Sequence, residues 1–156
     1  MGLLIGPLHV RRSIYVRATV RRVWNEFSSF DRIKRWFGTG HELHAMELNV
    51  GGAVDLSIEN EYGMKTGDDG RIHMLGTVLV HEEEREISFE TRWQFYEDSA
   101  PALWTIRLTA LYEGTLVEIF QHGMELAGDE AADRLQGNEE GWDIRHLKIL
   151  RDLVEN

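Results

Sequence analysis

IYVRATVRRVWNEFSSFDRIKRWF, residues 14–37, changes its hydrophobic period within a few residues. Its start belongs to the stretch 13–18, where Ile14, Val16 and Ala18 share one side, the period of a short strand. Thr19 then offers an N-cap, and Val20, Val23, Trp24 and Phe27 follow at i, i+3, i+4 and i+7, which predicts a helix with an aromatic inner face. Phe30 to Phe37 predicts a second short helix, with Ile33, Trp36 and Phe37 inward and Gly38 stopping it.

Downstream, from about His44 to Gly123, the period is 2, and turn signals recur at 49–52 (NVGG), 66–70 (TGDDG) and 113–114 (EG). This predicts a meander of about six antiparallel strands. In 86–95, Ile87, Phe89, Thr91, Trp93 and Phe95 alternate with Glu86, Ser88, Glu90, Arg92 and Gln94, so one face is buried and the other wet. Trp104, Ile106, Leu108 and Ala110 alternate in the same way, as do Val117 and Ile119 against Glu118, Phe120 and His122. RIHMLGTVLV, residues 71–80, is apolar on both faces and calls for a central position or a covering element. After a polar connection at 124–137, with a short helix expected around Glu130–Leu135, a long helix is predicted from about Asn138 to Glu155. Its apolar face holds Trp142, His146, Leu147, Ile149, Leu150, Leu153 and Val154, with Arg145, Lys148 and Asp152 opposite. Strand runs and helix runs that do not alternate argue for an α+β fold, with an antiparallel sheet and helices on one face.

At 156 residues, the chain has the length of one domain. A formal charge of −10 repels phosphate backbones and anionic membranes, and Arg11, Arg12, Arg17, Arg21 and Arg22 read as solvated surface, so no nucleic-acid partner is expected. There is no cysteine, which excludes thiol catalysis, disulfides and thiolate metal sites. The apolar part of MGLLIGPLHVRR is too short for a signal peptide, and Gly6 stands where a myristoylation signal needs Ser or Thr. No run has the length of a membrane span, so no membrane insertion is expected, and the expected location is the cytoplasm.

The order of elements and two motifs resemble the SRPBCC (START-like, helix-grip) superfamily and, within it, the family related to the C-terminal domain of the Hsp90 ATPase activator. The first motif is 14–37, with the small residue Ala18, the pair Val23–Trp24 and the closing Trp36–Phe37; the second is Gly141–Trp142 opening the last helix. The likeness runs from about residue 13 to the end. It implies a single domain over 1–156 (core about 13–155), a helix-grip fold in which a curved antiparallel sheet of about seven strands wraps round the long C-terminal helix, and a largely apolar cavity between them.

His146 departs from the resemblance, because relatives typically carry Leu or Phe there. Two readings stay open. It is a core histidine bonded to a strand carbonyl or a buried water, or it lines the cavity with Trp24, Trp36, Phe37, Trp93 and Trp104, joined by Trp142 and, on the last strand, by Phe120 and His122. The tryptophans also have the spacing of plain core residues. Three function classes follow: binding of a hydrophobic or amphipathic small molecule in the cavity; a protein-interaction module with a chaperone partner, as the resemblance implies; and a polyketide cyclase or dehydratase type of enzyme with His146 or His122 as general acid or base. Exposed sheet edges permit a homodimer.

Other chemistry finds little support. HELH, residues 41–44, is one residue short of the i, i+4 spacing of a zinc helix, so no metal or other cofactor is expected. HEEE at 81–84 reads as a solvated turn, and Asp68 and Asp69 as hairpin-tip residues. No Gly-x-Ser-x-Gly elbow is present.

Overall fold

The computed structural model describes residues 10–37, 42–60, 63, 65–95, 101–122 and 145–155. Thr19 caps the first helix as expected, its hydroxyl accepting from Arg22 N at 3.3 Å. The helix α1 is short, Val20–Trp24, and tightens into a 3₁₀ turn over Asn25–Phe27. The reason is local: Asn25 and Ser28 engage the backbone, with Ser28 Oγ donating to Asn25 O at 2.6 Å, in competition with helix continuation. Ser29 then caps α2, Phe30–Trp36, accepting from Arg32 N at 3.3 Å.

Seven strands follow the expected period: β1 Val10–Val16, β2 Glu42–Met46, β3 Ala53–Glu59, β4 Arg71–Glu82, β5 Glu86–Trp93, β6 Ala102–Leu111 and β7 Gly114–His122. They form one curled antiparallel sheet in the order β1-β7-β6-β5-β4-β3-β2. The doubly apolar β4 pairs on both sides, with β3 and β5, which is the central position its sequence calls for. A bulge between Val78 and Val80 shifts the register there, so that His81 pairs with the inward Ile87, and Leu79 is exposed.

Register settles the faces. The inner face carries Val16 on β1; Val117, Ile119 and Gln121 on β7; Trp104, Ile106 and Leu108 on β6; Ile87, Phe89 and Thr91 on β5; Met74 and Val78 on β4; and Val54 and Leu56 on β3. Against it pack Val23, Trp24, Phe27, Ile33, Trp36 and Phe37 from the first two helices. The last helix, α3, is described over Arg145–Glu155, with Leu147, Leu150 and Val154 buried and Lys148 and Asp152 exposed. It lies against β1 and α2, and Glu155 Oε2 accepts from Arg17 N at 2.8 Å, fixing its end to the exit of β1. The helix expected around Glu130–Leu135 and the opening of the last helix from Asn138 lie outside the described residues.

Candidate functional site

Four of the aromatic candidates join a continuous packed row. Trp24 stacks on Phe27 with centroids 5.6 Å apart, Phe27 meets Trp36 at 5.0 Å, and Trp36 meets Phe37 at 5.7 Å. Phe37 meets Phe89 at 6.5 Å, and Phe89 stacks on Trp104 at 5.6 Å. Their polar edges are satisfied within the protein: Trp36 Nε1 donates to Glu26 O at 3.1 Å, and Trp104 Nε1 donates to Thr91 Oγ1 at 2.9 Å. The helix-borne rings are therefore core side chains first. Trp93 differs. It is half-buried, sits opposite Met74 across the β4–β5 ladder, and shares the inner face with Thr91.

Phe120 and His122 are placed elsewhere, and here the expectation is corrected. Val117, Ile119 and Gln121 point inward, so the strand's parity sends Phe120 and His122 to the outer face. There Phe120 lies between two guanidinium groups, with Arg11 5.3 Å and Arg107 5.7 Å from its centroid, and its ring stacks on His122 at 5.8 Å. Arg11 also pairs with the buried Glu118. Trp142 lies outside the described residues, as does the side chain of His146, whose backbone belongs to α3.

Sequence reasoning missed a second cluster, on the outer face of β2, β3 and β4. Asp55 and Ser57 alternate with inward Val54 and Leu56, and Arg71 and His73 with inward Ile72 and Met74. A register shift between Leu43 and Ala45 brings His44 to the same place. His44 Nε2 lies 2.7 Å from Ser57 Oγ, which also accepts from Arg71 Nε at 2.6 Å, so Ser57 is buried although it faces outward. The rings of His44 and His73 stack at 4.9 Å. His73 is held at both nitrogens, Nδ1 at 2.7 Å from Asp55 Oδ1 and Nε2 at 2.7 Å from Asp69 Oδ2. Asp69 comes from the β3–β4 hairpin tip, where its other oxygen accepts from Arg71 N at 3.0 Å.

Burial disfavours the charged ring of His73, but the hydrogen bonds and charges of Asp55 and Asp69 outweigh it and raise its pKa. The hydrogen bond to His73, with that from Arg71 N, lowers the pKa of Asp69. A raised histidine contributes stability that is fully present below its ordinary value of 6.5 and is lost as pH rises through the raised value. A lowered carboxyl contributes above its ordinary 3.8, and that contribution is lost as pH falls through the lowered value. The cluster is thus strongest between the two ordinary values. His73→Gln should cost about 1 kcal/mol near pH 6, a charged hydrogen bond discounted for solvent screening at its exposed carboxylate partners, and progressively less toward pH 9. Urea unfolding of both proteins across that range measures it; a gap that widens with pH would contradict the assignment.

The curled seven-stranded sheet, with two helices after the first strand and a C-terminal helix across it, defines a helix-grip α+β protein. The model of the Activator of Hsp90 ATPase homolog 1-like protein family matches residues 17–155, and the chain belongs to that family. Protein CV1439 from Chromobacterium violaceum is similar in structure, with a TM-score of 0.69 at 24% identity, covering 96% of this chain and 99% of that one. The Aha1 dimer from Colwellia psychrerythraea gives a TM-score of 0.65 at 14% identity, covering 95% and 96%. DynU16, from the dynemicin biosynthetic locus, gives 0.65 at 19% identity over 95% of this chain but 47% of its own. No curated protein sequence matches. Among the described residues, no helix is long and apolar enough to cross a membrane.

Proposed function

We propose that the protein binds a hydrophobic or amphipathic small molecule against the inner face of the sheet, at the end marked by Trp93. The observation that carries this reading is a change in the character of that face. Toward α1 and α2 it is aromatic and aliphatic packing, whereas between β4 and β7 two hydrogen-bonding side chains, Thr91 and Gln121, sit buried beside Met74, Trp104 and the half-buried Trp93. An apolar wall with a few placed polar groups is the usual composition of a small-molecule site.

Native mass spectrometry of the freshly purified protein, followed by a tryptophan-fluorescence titration with fatty acids, aromatic polyketides and steroids, tests the reading. A bound adduct or saturating quenching is expected. Trp93→Ala should weaken that binding at least about tenfold, equivalent to about 1.4 kcal/mol, while the protein stays folded. A clean unliganded mass with a flat panel would overturn the proposal in favour of a protein that acts through its surface.

A further inference from the structure

We propose that the outer face of β2, β3 and β4 holds a divalent transition-metal site formed by His44, Asp55 and His73. One ligand atom from each of these three lies within 4.8 Å of the others. Two imidazole nitrogens and one carboxylate oxygen suit Zn²⁺, Ni²⁺ or Cu²⁺, whereas Ca²⁺ and Mg²⁺ prefer all-oxygen sets. Metal–ligand bonds of about 2.0–2.2 Å set ligand atoms roughly 3.4 Å apart, so the widest pair must close by about 1.4 Å at most. Part of it is already closer, since His73 Nδ1 and Asp55 Oδ1 are 2.7 Å apart.

The surroundings are those of a supported site. With His73 Nδ1 turned to the metal and Asp55, its Nε2 keeps the bond to Asp69, the carboxylate–histidine–metal relay that fixes ring orientation and strengthens the ligand. His44 is fixed by Ser57 and by stacking on His73. Metal binding displaces the Nδ1 proton of His73, and the carboxylates of Glu42, Asp55 and Asp69 then face the one guanidinium of Arg71, which Glu42 approaches at 3.5 Å, so a cation is attracted. The three ligands come from three paired strands, whose register holds them in place without the metal. The site is on the opposite face from the proposed small-molecule site and does not depend on it.

The test is a calorimetric titration of the intact protein with Zn²⁺, and with Co²⁺ followed by visible absorption. One metal per chain is expected. His44→Gln and His73→Gln should each weaken it at least about 30-fold, since even outer partners of a metal site are worth 10–100-fold, and His81→Gln, also on β4, should leave it unchanged. Binding that neither variant alters, or well under one metal per chain, would overturn the proposal as an adventitious ion only. Should the variants fail to fold, Cu²⁺ added below stoichiometry to the ¹⁵N-labelled wild-type protein decides the matter. Amides of His44, Asp55 and His73 should broaden first, and broadening centred elsewhere would overturn the site.

Discussion

Replacing Gly76 with alanine is expected to remove at least about 3 kcal/mol of stability, beyond the usual range for an overpacked core position. Gly76 lies in the middle of β4, paired with Val54 on one side and Thr91 on the other. A Cβ added there would overlap the carbonyl oxygen of Glu90 and crowd the Cα of Thr91. Both obstacles are backbone, so no rotamer change relieves them. Two strands must part, and the ladder that carries Phe89, Thr91 and Trp93 opens with them. Glycine inside a strand often marks such a close approach, and here it lies two residues before the Val78–Val80 bulge. Against a total stability of about 5–15 kcal/mol, the variant should unfold at much lower urea or fail to accumulate as folded protein. Gly70→Ala is the matched control. Gly70 has φ +74° with nothing within 4 Å of an added Cβ, so alanine there pays only the left-handed backbone penalty of about 1–2 kcal/mol. Equal urea midpoints for the two variants would refute the steric argument.

The same strands show how much of the fold is legible in the sequence. Period alone placed the short helices, the strand run and the central position of β4, because each depends on which residues of one segment face one way. Thr19 announced the first cap for a similar reason, since a cap is local chemistry. The end of α1 was less legible, because Asn25 and Ser28 act through backbone hydrogen bonds that compete with an otherwise good helical pattern. Phe120 and His122 show a different failure. Their own alternation with Val117 and Ile119 puts them outward, and residue type, an aromatic beside a histidine, is a weaker guide than strand parity. His44, Asp55 and His73 were beyond reach, since HELH has the wrong spacing for a metal helix and the partners of His44 are supplied by register across two hairpins. The visible signal was outward Asp55, Ser57, Arg71 and His73 on two neighbouring strands, with the turn residues of 66–70 leading into the second.

Truncating Trp36 to alanine should cost about 3–5 kcal/mol and lower the melting temperature by about 10 °C, because the ring is a structural keystone of the helix layer. Trp36 is completely buried. Its ring meets Phe27 at an interplanar angle of 64° and Phe37 at 72°, edge contacts that link the 3₁₀ turn to the end of α2. Its Nε1–H donates to Glu26 O, closing a polar group of that turn inside the protein. The Glu26 side chain is itself buried and reaches Arg32 at 3.2 Å and Arg35 at 3.8 Å, so the turn and α2 are tied by charge as well as by rings. Alanine deletes the ring contacts, the hydrogen bond and the filling of the core at once. Trp36→Phe separates these parts: it retains an aromatic body and leaves the Glu26 carbonyl without that donor, for a cost of about 1–3 kcal/mol. Trp93→Ala, at a half-buried position, should destabilise less than Trp36→Ala while weakening ligand binding. Thermal melts of the three variants, read beside the fluorescence titration, distinguish a tryptophan that holds the fold from one that faces a ligand. Similar losses of stability at both tryptophans would erase that distinction and with it the assignment of Trp93 to the site.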